Sequence, residues 1–98
     1  MAMKGNSEKY KKELVEVLYK TAKNKKLLED FLGDILTPGE FETIASRWQI
    51  VKRLAKGDRQ QNIAKELGLG IATVTRGSRE IKDKKGGFRK VLKLLKLI

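Results

Sequence analysis

The sequence predicts an all-α protein, and three observations carry that prediction. A compact helix-start signal stands at residues 36–40, apolar residues repeat three and four apart on either side of it, and two short helical patterns meet across a glycine-containing turn between Gln60 and Lys82. The last stretch, QQNIAKELGLGIATVTRGSREIK, organises the rest of the chain. It has the outline of a helix-turn-helix, expected over about residues 59–82.

Residues 1–6 carry no pattern and are expected to be a disordered terminus. Ser7, Tyr10, Leu14, Val17, Leu18 and Thr21 to Ala22 then mark a first helix, and Val15 and Tyr19 widen its apolar stripe. A helix apolar on more than one side, in so small a chain, suggests burial between two partners. Asn24, Lys25 and Lys26 are expected to end it, and Leu27, Leu28, Phe31, Leu32 and Ile35 make a second helix ending near Leu36. Thr37 as N-cap, Pro38 at the first helical position and Glu40 three residues after the cap require a third helix to begin there. It runs through Ile44, Arg47, Trp48, Ile50, Val51 and Leu54 to Gly57, which reads as its closing glycine.

Asp58 can cap the next helix, Gln60 to Leu67, with Gln61 completing a weak capping box. Two helices crossing steeply need a small residue on the first and a glycine in the turn, and Ala64 and Gly68 meet those needs four residues apart. Ile63, Leu67 and Val74 close the angle from inside, while Gln60, Lys65, Thr73 and Thr75 are left outside. The second helix of the motif opens at Ile71 with Ala72, Thr75 and Arg79 on one side and Val74 and Ile81 on the other. Asp83 to Gly87 form a break. A basic amphipathic helix follows, with Phe88, Val91, Leu92, Leu95 and Ile98 against Arg89, Lys90, Lys93 and Lys96, and a stripe of this kind closes a core or a dimer more often than it lies on a membrane.

With 98 residues and 40% hydrophobic content the chain is expected to be one domain, near the size at which self-association helps stability. Cysteine and histidine are absent, which removes disulfides and soft metal sites, and no paired carboxylates suggest an enzyme. No apolar run approaches a membrane span and no leader pattern opens the chain, so a cytoplasmic protein without membrane contact is expected. The net charge of +11 is uneven: about +5 in residues 1–26, about −1 in 27–57 and about +7 in 58–98. A polyanion partner follows, and a phosphate backbone fits best because bound Lys and Arg release its counterions.

Leu36-Thr37-Pro38, Arg47, the string Leu67-Gly68-Leu69-Gly70-Ile71-Ala72-Thr73-Val74-Thr75-Arg76-Gly77-Ser78 and Lys82 together resemble the Trp repressor family. The resemblance covers about half the chain, and GIATxTRGS is its most specific part. It implies a six-helix, intertwined homodimer with a helix-turn-helix in each chain, which binds double-stranded operator DNA when L-tryptophan is present as co-repressor and is nucleoid-associated when bound. No other cofactor is implied. By the resemblance Arg47 and Arg76 sandwich the indole, Arg76 holds the carboxylate with Thr37 assisting, and Gly77 lets the ring approach the recognition helix. The carbonyls of Asp34 and Leu36, from the other subunit, would face the ammonium. A guanidinium stacks flat on an aromatic face, which suits that assignment.

Each of these residues also has a plain explanation: Thr37 as an N-cap, Arg47 as a solvated helix residue, Arg76 as a phosphate contact. The chain departs from the family pattern at Arg79 and Glu80, where Asn and Ser are typical, the Ser helping to bind the ammonium; Glu80 could pair with it as a charge. The link after Gly57 is one residue shorter than in the best-known member, and Gln61 and Ala64 stand where basic residues are usual. The expected DNA-facing set is Gln60, Gln61, Ala64, Lys65, Ile71, Ala72, Thr73, Thr75, Arg79 and Lys82. Ile71, Ala72 and Thr75 would meet base edges, and Gln60, Gln61, Lys65, Arg79 and Lys82 phosphates. The rival readings are a ligand-independent helix-turn-helix DNA binder and a basic module for RNA or an acidic protein.

Overall fold

The computed structural model describes residues 6–98, so the expectation for residues 1–5 lies outside the described residues. Six helices follow in order: α1 (Ser7–Thr21), α2 (Lys25–Ile35), α3 (Pro38–Lys56), α4 (Gln60–Leu67), α5 (Ile71–Lys82) and α6 (Gly87–Leu94). The protein is all-α, with no strand among the described residues. No helix among them is long and apolar enough to cross a membrane. The described residues form two compact units, the first ending at residue 41 and the second spanning residues 42–98.

In the first unit α1 packs on α2, and neither helix contains a buried residue. Leu18, Thr21, Leu28, Phe31, Leu32 and Leu36 are only half-buried. The junction between the helices corrects the expectation. Asn24 does not merely end α1: its backbone is extended and its Oδ1 accepts from the Leu27 N–H at 3.1 Å, so it caps α2. Lys25 and Lys26 thereby form the first turn of α2, where Lys26 Nζ reaches Asp30 at 2.9 Å. Both members of that pair are exposed, and the raised Lys26 pKa follows from the Asp30 hydrogen bond first and the Glu29 charge second.

The start of α3 is as expected. Thr37 Oγ1 accepts from the Glu40 N–H at 3.1 Å, and the Thr37 N–H donates to Glu40 Oε1 at 2.8 Å. That reciprocal pair satisfies two donors that a helix N-terminus leaves open. It also holds the Glu40 carboxyl below its usual range, through the Thr37 backbone N–H first and its side chain second.

The second unit is built on Ile50 of α3, Ile63 and Ala64 of α4 and Val74 of α5, all buried, with Leu54, Leu67 and Leu69 packed against them. Two glycines shape it. Gly57, at φ 99°, ends α3: its N–H donates to the Leu54 carbonyl and that of Asp58 to the Arg53 carbonyl. Gly68, at φ 67°, ends α4 in the same way, with Gly68 N–H on Lys65 and Leu69 N–H on Ala64. The second closure turns the chain back so that Leu69 joins the core and α5 can begin two residues later.

Two expectations fail here. Asp58 does not cap α4, whose N-cap residue is Arg59 with no side-chain cap bond; its carboxylate accepts from Arg53 Nε at 3.2 Å instead. The last helix ends at Leu94 rather than running to Ile98. Lys96 takes φ 58°, and the N–H groups of Lys96 and Leu97 close on the Lys93 and Leu92 carbonyls. The break before α6 is held by Asp83, which accepts from the N–H groups of Lys85 and Gly86.

Candidate nucleic-acid interface

The angle between α4 and α5 is set by side chains too small to keep the helices apart and apolar enough to hold them together. Ala64 is 8% exposed, while Ile63 and Val74 are fully buried beneath the crossing. Ala64 therefore leaves the expected DNA-facing set. Its methyl lies in the core, and what it contributes is the close approach of the two helices.

The rest of that set stays at the surface. Gln61, Lys65, Ile71, Ala72, Thr73, Arg79 and Lys82 are exposed, and Gln60 and Thr75 are half-buried. Gln60 and Thr75 meet: Thr75 Oγ1 lies 2.8 Å from Gln60 Oε1 and 3.0 Å from the Ile71 carbonyl oxygen. Ile71, 49% exposed, is a large apolar side chain left in solvent at the first position of α5.

Behind the motif, α5 rests on α3 through Gly77. A Cβ at that position would lie 2.8 Å from Ile50 Cγ2, so the contact admits no side chain. Ser78 beside it is buried, with no orphaned polar atom. Arg47 stands one turn before Ile50 on α3, and Arg76 immediately precedes Gly77 on α5. Both are exposed, and neither has a hydrogen bond or ion pair among the described residues. Glu80, one turn after Arg76, is exposed in the same way. Asp34, Leu36 and Thr37 belong to the first unit, at the end of α2 and the start of α3.

Arg53 was not foreseen as part of the arrangement. Its Nε donates to Asp58 and its NH2 group to Glu66, tying α3 to the link and to α4. Those two carboxylates, Glu66 first, raise its already high pKa. Glu66 is 13 residues away in sequence, so no local spacing signals the pair. Arg89 is likewise committed, its Nε donating to the Ile81 carbonyl at 3.0 Å where α6 meets α5.

The tight, glycine-closed turn between α4 and α5, with Ile71, Ala72 and Arg79 exposed on α5, defines a helix-turn-helix protein. The family model described as Trp repressor protein matches residues 9–96. The chain belongs to the Trp repressor family. It is similar to the Trp operon repressor homolog of Vibrio campbellii, 38% identical over 84 residues that cover 85% of this chain and 83% of that one. The homolog of Vibrio parahaemolyticus is 44% identical over 68 residues, or 68% of this chain and 66% of the relative. That of Chlamydia trachomatis is 37% identical over 68 residues, covering 68% and 72%. The family is one of DNA-binding transcriptional repressors, not of enzymes.

Proposed function

We propose that the chain is a tryptophan-gated repressor, an intertwined homodimer that binds operator DNA of tryptophan biosynthesis and transport genes in the cytoplasm. The observation that carries this reading is the pair Arg47 and Arg76. Both guanidiniums are exposed and without partners among the described residues, on the two helices that meet at Gly77 and Ile50. An indole between them gains two cation–π faces, and its carboxylate a charge-assisted bond from Arg76.

Thr37 can take its part without leaving its cap. Its oxygen accepts from Glu40, which leaves the hydroxyl proton to donate to the carboxylate. Pro38 lacks the N–H that a continuing helix would offer the Asp34 carbonyl, so the carbonyls of Asp34 and Leu36 can face a ligand ammonium from the partner subunit. Glu80 adds a charge partner for that ammonium, while the open side of Gly77 is already filled by Ile50.

The dimer is supported by apolar surface that one chain leaves open. Tyr10, Val15 and Tyr19 of α1 are 48%, 64% and 67% exposed, and Leu94, Leu95, Leu97 and Ile98 also face solvent. Such surface in so small a protein favours a contact with another chain. Two recognition helices must enter successive major grooves roughly 34 Å apart, a spacing general to dimeric helix-turn-helix proteins, Trp repressors among them. A ligand that binds the competent tilt better than the other raises operator affinity by that difference and no more.

A second reading, a ligand-independent DNA binder, is favoured by Gly77, whose missing side chain is already accounted for by Ile50. Fluorescence anisotropy of a duplex selected by the protein, with and without L-tryptophan, separates the two. Tighter binding with tryptophan supports the switch, and equal affinity supports the second reading.

A further inference from the structure

A hydroxyl has one proton and two acceptor lone pairs. Thr75 Oγ1 has two oxygens within reach, Gln60 Oε1 at 2.8 Å and the Ile71 carbonyl at 3.0 Å, so its proton is committed inside the protein. If the proton goes to Gln60, the amide NH2 remains available. If it goes to Ile71, turning the Gln60 amide lets its NH2 donate to Thr75 Oγ1. In both arrangements Thr75 has only a lone pair left for an outside partner.

We propose that Gln60 and Thr75 form one reading unit, in which Gln60 keeps Thr75 an acceptor-only group and so selects a base with an exocyclic amino group. In the major groove adenine N6 and cytosine N4 are donors, whereas guanine O6 and thymine O4 are acceptors that such a hydroxyl cannot serve. Gln60 is a positioning residue here. Its remaining amide donor is free for a phosphate oxygen, which fixes the pair to the duplex from the first helix of the motif. The two residues lie 15 apart in sequence and on different helices, so the unit exists only once the α4–α5 angle is closed. Without Gln60 the hydroxyl answers to Ile71 alone and can rotate outward to donate. This rests on reading α5 as the recognition helix of a duplex-DNA reader.

The test is selection of duplexes from a random-sequence library by the full chain, with and without L-tryptophan, for the wild type, Gln60→Met, Thr75→Val and Thr75→Ser. The wild-type consensus should contain one position restricted to adenine or cytosine on the contacted strand. Thr75→Val should flatten that position and bind the wild-type consensus at least roughly fivefold more weakly. Gln60→Met should flatten the same position by admitting guanine or thymine, while Thr75→Ser keeps the preference. Thermal melting confirms that each variant folds, with Gln60→Leu standing in should Gln60→Met fail.

A Gln60→Met consensus identical to the wild type, or flattening at two different positions, would overturn the reading unit and leave the pair a clasp between helices. A wild type that selects no sequence under either condition removes the DNA reading and the unit together. A consensus indifferent to tryptophan removes only the co-repressor and leaves this test intact.

Discussion

Gly77 of α5 lies against Ile50 of α3 so closely that a Cβ on the glycine would fall 2.8 Å from Ile50 Cγ2 and 3.7 Å from Leu54 Cδ1. Ile50 is itself buried in the core beneath the helix-turn-helix, so it has little room to give way. The seat of the recognition helix is thus a backbone-to-side-chain contact. Gly77→Ala should destabilise the fold by about 1–3 kcal/mol, as overpacking of a filled core does. Gly33, inside α2 with nothing within 4 Å, is the contrast. Alanine there should stabilise by about 0.5–1 kcal/mol, the usual gain for removing a helical glycine. Urea denaturation of both variants checks the pair, and equal effects would contradict the contact.

The Thr37–Glu40 box predicts a pH dependence. Glu40 has a folded pKa below its unfolded one, so its contribution is present above the ordinary carboxylate range and is lost as pH falls through the depressed folded value. Stability measured against pH should therefore decline more shallowly in acid for Glu40→Gln than for the wild type. Thr37→Ala should cost about 1 kcal/mol at neutral pH through loss of the cap. An unchanged acid limb in Glu40→Gln would show that the carboxylate is not held as described.

Lys96 closes α6 with φ 58°, a conformation that costs an L residue with a Cβ more than it costs glycine. Lys96→Gly should raise stability by about 0.5–1 kcal/mol, read as a higher midpoint in denaturant at unchanged slope. A lower midpoint would mean that the Lys96 side chain holds the end of the helix by its own contacts.

Arg79 stands exposed on α5 without an ion pair among the described residues. If it holds a phosphate, Arg79→Ala weakens binding to every sequence alike and reduces the salt slope of log K by roughly 0.9. Affinities of one specific and one unrelated duplex across a salt series decide this. A changed base preference with the slope intact would make Arg79 a base reader.

Much of this fold was legible because local rules act within a few residues. Thr37, Pro38 and Glu40 announce α3, Gly57 and Gly68 sit where the chain needs positive φ, and Ile71 opens α5 as its pattern requires. Asn24 was ambiguous since asparagine both ends and begins helices, and only its bond to Leu27 decides. The apolar stripe beyond Leu94 continues to Ile98, which hid the turn at Lys96. Asp58 was misplaced for a different reason, being claimed by Arg53. Ala64 was read both as the small residue at the helix crossing and as DNA-facing, and its burial in the core agrees with the first reading alone. The pairs Arg53–Glu66, Gln60–Thr75 and Ile50–Gly77 are likewise products of helix packing, so they appear only once the helices are placed. The residues of the ligand reading came from a resemblance, and of them the structure shows that Arg47 and Arg76 are exposed.

Tryptophan gating through the two arginines is best tested by calorimetric titration of the purified protein with L-tryptophan, alongside Arg47→Ala and Arg76→Ala variants shown to fold by circular dichroism. Saturable binding near one site per chain that disappears in both variants is expected. Absence of heat together with absence of binding in equilibrium dialysis, or undiminished binding in either variant, would contradict it, leaving a DNA reader without a tryptophan switch at these arginines.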